Sequence, residues 1–355
     1  MAISVADGRI SIASLEEFCL RTLRGLGVSA TDAQTTTDVL VTTDAWGVFT
    51  HGTKLLRGYA RRLRAGGLRA DASPLIVEDG PAWALVDGQS ALGQVTSVYA
   101  VDLAVKKARE SGVGFVTVRN SCHFGAAGYY AWRISQAGMI GLAMANDVPS
   151  VAAPGSKGPV LGSNPISFSC PAGDHDPILL DMSIATVAGG KVFARCKRGE
   201  SIPLGWLVDD QGQATQDGAL YPDRASLAPV GGHKGYGIGL LIEILAGVLS
   251  GAAVTRQVGS WLFGDMSAPT NHGAAFLAIN AGAIMEPTRF YSRVAELIAE
   301  IHAQPTAAGS PALMLPGEME WRNRRRAEVE GIELPEDVLA YLEETAAELG
   351  QPFLA

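Results

Sequence analysis

Charge is scarce in this sequence: Asp, Glu, Lys and Arg make up 18% of its 355 residues, against roughly 25% in an ordinary globular chain. With 47% apolar residues beside that scarcity, disorder is excluded, because an unfolded segment is highly charged and apolar-poor. Positive charge is the scarcer sign, 28 Lys and Arg against 36 Asp and Glu for a net charge of −8. Nucleic acid is therefore not an expected partner, since its binding needs clustered cations that displace counterions. The one basic cluster, Arg322, Arg324, Arg325 and Arg326, is followed at once by Glu328 and Glu330 and reads as a solvated helix face.

Cysteine is nearly absent. Cys19, Cys122, Cys170 and Cys196 lie far apart without CxxC spacing, which indicates neither a disulfide framework nor a zinc knuckle and fits a reducing compartment. The N-terminal stretch lacks a basic region followed by an apolar core, so no signal peptide is read there and a cytoplasmic location is expected. The longest apolar stretch, Tyr236 to Val254, is interrupted by Glu243 and holds four glycines. It reads as a buried helix rather than a membrane span, which needs about 20 residues with few charges.

Glycine, by contrast, is plentiful at 42 residues, with no three-residue period that would suggest collagen. The first 75 residues read as helical, with capping boxes at Ser14/Glu17 and Ser29/Asp32. From Ala82, short β-rich runs follow one another: 82 to 86, 114 to 119, 140 to 145, 166 to 170 and 178 to 181, with a helix over 95 to 111. A helix over 236 to 251 and a strand over 274 to 279 come next. After Pro287 the pattern is helical again, with Pro335 in a first helical turn and Gly350 as a C-cap. The expected organisation is an α+β fold in which residues 1–75 and 301–355 form a helical domain from both chain ends. Residues 76–300 then form a mixed nucleotide-binding domain.

The dinucleotide fingerprint GxGxxG between a strand and a helix is missing. Its nearest match, Gly25-Leu26-Gly27-Val28-Ser29-Ala30, follows a helix and reads as the junction of two helices. Three glycine-containing clusters carry chemically capable residues instead: Thr50-His51-Gly52, Asn120 to Gly128 around His123, and Gly231 to Gly237 with His233 and Lys234. A glycine-rich turn opening a helix, with Lys234 adding a full charge, can cradle a phosphate or other anion; it can equally be an exposed turn. His51 and His123 are the candidate proton carriers, because imidazole titrates near neutrality. Asp181, closing the apolar run ILLD, can orient an imidazole, bind a ribose hydroxyl, or cap the next turn. Two imidazoles and a carboxylate from this set would also suit a catalytic zinc, although no short ligand spacing such as HExxH supports a metal.

In order along the chain, VFTHG (48 to 52), NSCHFGAAGYY (120 to 130), NDVPSVAAPG (146 to 155), LGSNPISF (161 to 168), LLDMSIATVAGGKV (179 to 192), GGHKGYGIGLLIEILAGVLSGA (231 to 252) and LPGE (315 to 318) resemble the type 2 malate/L-lactate dehydrogenase family. That family includes ureidoglycolate dehydrogenase, 2,3-diketogulonate reductase, sulfolactate dehydrogenase and the Δ1-piperideine-2-carboxylate reductases. The resemblance implies an NAD(P)H-dependent oxidoreductase that interconverts a 2-oxo acid and its 2-hydroxy acid, or else reduces a cyclic imine. It implies a mostly antiparallel, twisted, non-Rossmann nucleotide-binding sheet, and a homodimer with the active site near the subunit interface. By the same resemblance, His51, His123 and Asp181 are catalytic candidates. Asn146, Asp181, Met182, Ser183, His233, Lys234, Pro316 and Gly317 are cofactor candidates. Many relatives carry arginines at two substrate-carboxylate positions where this chain has Leu55 and Thr270, so Thr50, Lys54 and Arg57 become the substrate candidates, or the substrate differs. A metal-dependent hydrolase and a non-catalytic nucleotide-binding protein are the rival classes.

Overall fold

The computed structural model describes residues 8–353; the first seven residues of the expected 1–75 segment and the last two of 301–355 lie outside this range. Helices α1 (Ile12–Gly25), α2 (Ala30–Ala45) and α3 (Leu56–Ala65) open the chain. Ser29 caps α2 by accepting the Asp32 N–H at 3.1 Å. For α1 the cap is Ser11, which accepts the Ser14 N–H at 3.1 Å, so the helix starts a turn before the expected Ser14/Glu17 box and Ser14 sits buried inside its first turn.

Among the described residues twelve strands follow. In chain order they are β1 (Leu75–Asp79), β2 (Trp83–Asp87), β3 (Val113–Ser121), β4 (Ile140–Ala145), β5 (Val151–Ala152), β6 (Pro159–Leu161), β7 (Pro165–Ala172), β8 (His175–Ser183), β9 (Leu207–Asp209), β10 (Ala214–Thr215), β11 (Ala225–Leu227) and β12 (His272–Ile279). The remaining helices are α4 (Gly93–Ser111), α5 (Ala127–Gln136), α6 (Gly189–Lys197), α7 (His233–Ile242), α8 (Pro287–His302), α9 (Glu318–Glu330) and α10 (Glu336–Glu348).

Seven strands form one sheet in the order β1-β2-β3-β12-β4-β7-β8, with every neighbouring pair antiparallel except β2 and β3. Helices α4 and α5 pack on it through Ala100, Ala104, Tyr130 and Ile134 against Val116, Val118 and Phe276. The approach is close. A Cβ at Gly114 would fall 2.0 Å from the Ala104 carbonyl, so only glycine lets α4 lie so near β3. A smaller sheet, β10-β9-β11-β5-β6, encloses a second core around Val151, Ile184, Leu207, Leu227 and Ile242.

The two chain ends share a third core, where Leu15, Phe18, Leu40 and Leu56 meet Val338 and Leu342. Helix α8 lies elsewhere, with Val294 and Ile298 against Ala172. The expected buried helix over 236 to 251 differs in two respects. It begins at His233 and, from Glu243 to Val248, widens into π-helical turns. Its Ile238, Leu241, Ile244, Val248 and Leu249 are exposed, because the small core takes only one stripe of this helix.

Candidate active site

The site forms where the large sheet's central strands end. Strand β3 stops at Ser121 and delivers Cys122 and His123 into the turn that starts α5, while the turn after α2 delivers Thr50 and His51. The two turns touch at Gly125, whose φ is +84°. A Cβ there would lie 3.5 Å from the His51 carbonyl oxygen. This contact sets the imidazoles of His51 and His123 with centroids 5.9 Å apart and planes 28° from parallel, close enough for one small molecule to touch both.

His123 is held on several sides. Trp261 stacks on it at 4.2 Å and 15°. The Gly125 N–H donates to its Nδ1 at 3.3 Å, and the Tyr59 hydroxyl lies 2.9 Å from the same nitrogen. An amide can only donate, so Nδ1 accepts and the neutral ring carries its proton on Nε2. Burial drives the imidazole down to about 3, with the Asp147 carboxylate opposing. Burial lowers His51 as well, against the same opposing charge, and Thr50 Oγ1 sits 2.9 Å from His51 Nδ1.

Two supports were invisible to motif reading. Asp44, buried at the end of α2, accepts both the N–H and the hydroxyl of Thr53 through Oδ2, at 3.0 and 2.5 Å. These bonds fasten the turn carrying His51 from below, and burial pushes the Asp44 carboxyl up to about 7 despite them. Arg62, 1% exposed, spends its guanidinium on the backbone oxygens of Ser260, Trp261 and Ala268 at 2.5, 3.0 and 2.8 Å. It thereby fixes the segment that lays Trp261 over His123.

A third group comes from sheet register. Strands β12 and β4 pair Ala274 with Ala145, and the same antiparallel register continued past the ladder sets His272 opposite Asp147. Their side chains meet, His272 Nε2 to Asp147 Oδ1 at 3.1 Å.

Of the cofactor candidates, Asn146 is 1% exposed and its amide is fully committed. It donates to the Ala253 carbonyl at 2.8 Å and to Glu243 Oε1 at 3.3 Å, and accepts the Gly273 N–H at 2.9 Å. Its side chain therefore secures the end of β4 and is not free for a nucleotide. Asp181 orients neither imidazole. Its Oδ2 accepts the Gly128 N–H at 2.7 Å at the start of α5, and the residue is otherwise exposed at the edge of the sheet. Met182 and Ser183 continue β8 beside it. Pro316 and Gly317 dock on the same strand, the Pro316 carbonyl accepting the Leu179 N–H at 3.0 Å.

His233 and Lys234 open α7 at the protein surface, after Gly231 and Gly232 at φ +59° and +63°. A cleft of about 430 Å³ faces this turn, lined also by Pro154, Gly155, Thr186 and Gly205. A Cβ at Gly155, Gly205 or Gly232 would meet nothing within 4 Å. Among the described residues, the Gly231 and His233 N–H groups have no backbone acceptor. This open, glycine-walled cradle with unspent N–H groups fits the phosphates of a nucleotide.

The substrate candidates separate. Thr50 stays beside His51, but Lys54 is drawn to Asp337 at 2.6 Å and Arg57 to Glu348 at 3.0 Å, both on α10. Opposite charge on that helix takes them out of the histidine cluster. Leu55 and Thr270 are buried, the latter donating to the Ser121 carbonyl at 3.2 Å. Among the described residues no three His, Cys, Asp or Glu side chains converge as a metal site, and no helix is long and apolar enough to cross a membrane.

Residues 10–343 match the sequence profile of the family described as malate/L-lactate dehydrogenase. The chain belongs to this family. Malate dehydrogenase of Pyrococcus abyssi is 35% identical to it over 96% of this chain and 95% of its own. The sulfolactate dehydrogenase structure from Methanocaldococcus jannaschii superimposes with a TM-score of 0.90 at 34% identity, covering 99% and 98% of the two chains. A Δ1-pyrroline-2-carboxylate/Δ1-piperideine-2-carboxylate reductase of Pseudomonas putida is 32% identical over 84% of this chain and 85% of its own. As a malate/L-lactate dehydrogenase family member, the protein is an oxidoreductase of the 2-oxo/2-hydroxy acid class that works with a nicotinamide cofactor.

Proposed function

We propose that this malate/L-lactate dehydrogenase family protein interconverts a 2-oxo acid and its 2-hydroxy acid with NAD(P)H, His51 and His123 dividing the work on the substrate oxygen. The observation that carries the reading is the facing pair of imidazoles, 5.9 Å apart, with unequal surroundings. Bound nicotinamide supplies or takes up the hydride. His123, neutral near pH 7 with its proton on Nε2, offers a hydrogen bond to the oxygen and stays uncharged, as an electrophilic imidazole does. His51 donates a proton to the oxygen in reduction and takes it back in oxidation, Thr50 steadying its Nδ1. Trp261, Tyr59 and Leu55 keep bulk water from this point.

The glycine cradle before α7, with His233 and Lys234, is the proposed phosphate seat. Asp181 to Ser183 on β8 and the Pro316-Gly317 turn supply the neighbouring wall. The nucleotide would thus lie on a mostly antiparallel, non-Rossmann unit. The exposed apolar face of Ile238, Leu241, Ile244 and Val248 supports a homodimer that buries it, since contiguous apolar patches of this kind mark interfaces. Four unpaired cysteines fit the cytoplasm.

Fluorescence titration with NADH and NADPH, followed by a 2-oxo acid panel read by absorbance of the reduced cofactor, tests the proposal. Binding of at least one dinucleotide with turnover of at least one oxo acid is the expected result. Binding without turnover would favour a nucleotide-binding protein, and activity abolished by a chelator a metal enzyme.

A further inference from the structure

Asp147 stands out among the groups around the two histidines because the proposed chemistry does not use it. The ends of β4 and β12 press it against His272, and its Oδ1 takes the His272 Nε2 hydrogen at 3.1 Å and the Val148 N–H at 2.8 Å. Its backbone is fixed as well, the Asp147 N–H donating to Asn164 Oδ1 at 3.1 Å while Asn164 Nδ2 donates to Glu243 Oε2 at 2.8 Å. Oδ2 has no protein partner among the described residues, and the side chain keeps 20% of its exposure.

The charge of the pair follows from its other end. His272 is 2% exposed and its Nδ1 is buried without a hydrogen-bond partner. A protonated ring would bury an unsatisfied cationic donor there, which is costly. A neutral ring that donates from Nε2 leaves only an idle acceptor. Asp147 is anionic, its carboxyl lying below the ordinary value because desolvation, which raises it, is outweighed by the bond from His272 and the groups beside it, and its free Oδ2 brings a negatively charged oxygen to the histidine site. Among the described residues no lysine or arginine pairs with it. Arg62 is consumed by three carbonyls, Lys54 and Arg57 are paired on α10, and Leu55 and Thr270 add no charge.

We propose that Asp147 is a specificity-determining residue that makes the site accept a 2-oxo monocarboxylate bearing a cationic nitrogen, and reject dicarboxylates. The inference rests on the oxo acid reading above and names its substrate class. A free, fixed carboxylate oxygen pairs with an ammonium or guanidinium nitrogen, and repels a second substrate carboxylate with no guanidinium to receive it.

The test is kcat/KM of the full-length enzyme with its preferred reduced nicotinamide and three 2-oxo acids that end in a guanidinium, a methyl and a carboxylate: 5-guanidino-2-oxopentanoate, 2-oxobutanoate and oxaloacetate. The expected wild-type order is guanidinium first and carboxylate last, a result that needs no variant. In Asp147→Asn and Asp147→Ser the guanidinium-to-methyl ratio should fall by about tenfold or more, and the carboxylate-to-methyl ratio should rise. Oxaloacetate as the best wild-type substrate would overturn the proposal, as would equal losses on all three in both variants, the mark of a structural role. Turnover of none of the three by the wild-type enzyme would overturn the oxo acid reading itself, an outcome distinct from the wrong order of preference.

Discussion

A Cβ placed on Gly52 would fall 1.8 Å from Asp44 Oδ1, so the residue after His51 must be glycine for the buried carboxyl to lie beneath the turn. Gly52→Ala should cost about 1–3 kcal/mol by overpacking. It should also lower kcat more than it weakens dinucleotide binding, because the displaced turn carries Thr50 and His51. Denaturant unfolding and a nucleotide titration read the two effects separately.

Asp44 makes the stability of this turn depend on pH. Its carboxyl is raised to about 7 from an ordinary value of 3.8, so between these limits the folded state holds the proton and the unfolded chain does not. Its stabilising contribution is complete below pH 3.8 and is lost as pH rises through 7. Asp44→Asn should therefore gain stability relative to the wild type as pH rises across that window, by up to about 1.4 kcal/mol per unit. A difference independent of pH, measured by chemical denaturation, would contradict the assignment.

His123 acts in the opposite sense. Lowered from 6.5 to about 3, it stays neutral in the folded protein while the unfolded chain takes up a proton, so its contribution is complete above pH 6.5 and is lost on acidification towards 3. His123→Gln should flatten the acid limb of the stability profile. Nitrogen spectra of labelled histidine should show His123 unprotonated at pH 5, with its proton on Nε2.

Trp261 and Arg62 should act through His123 without touching substrate. Trp261→Ala uncovers the imidazole and should move its titration back towards the ordinary range. Arg62→Met leaves three carbonyls without their donor, at a cost of about 1–3 kcal/mol for each one that stays buried without a substitute. Arg62→Lys should rescue little, since a single ammonium cannot reproduce the planar fork. Titration of His123 separates this positioning role from a general loss of fold.

The apolar face of α7 and its π-helical continuation should be covered in solution. Leu241→Glu with Ile244→Glu should convert a dimer of about 74 kDa, twice the 37.1 kDa chain, into a monomer by light scattering. A wild-type protein already monomeric at micromolar concentration would contradict the proposed homodimer.

How much the sequence disclosed follows from the range of the interactions involved. Strand β4 was read to the residue, and β3, β7, β8 and β12 within a few positions, because each is a continuous β-rich run bounded by turn residues. Strands β5, β6, β9, β10 and β11 were missed, being only two or three residues long and too short for any periodicity. The α7 segment is legible as helical but not as half exposed, because apolar residues all round a helix look alike whether or not a core covers every side. His51 and His123 stand out in the sequence through their glycine neighbours. Asp44 escapes because its place depends on the Cβ that Gly52 lacks; Asp147, His272 and Arg62 escape because their meaning depends on partners far along the chain, strand register for the first two and backbone oxygens some 200 positions away for the last. Lys54 and Arg57 misled for the same reason, since proximity to His51 in sequence said nothing of the acidic face of α10.

The division of labour between the imidazoles is tested most directly by single-turnover hydride transfer from reduced nicotinamide to a 2-oxo acid substrate in the wild type, His51→Ala and His123→Ala, with dinucleotide affinity measured in parallel. A rate lowered roughly 100- to 10,000-fold in His51→Ala, a clear loss in His123→Ala, and near-unchanged affinity in both are the predicted results. Near-normal rates in both variants would contradict the account.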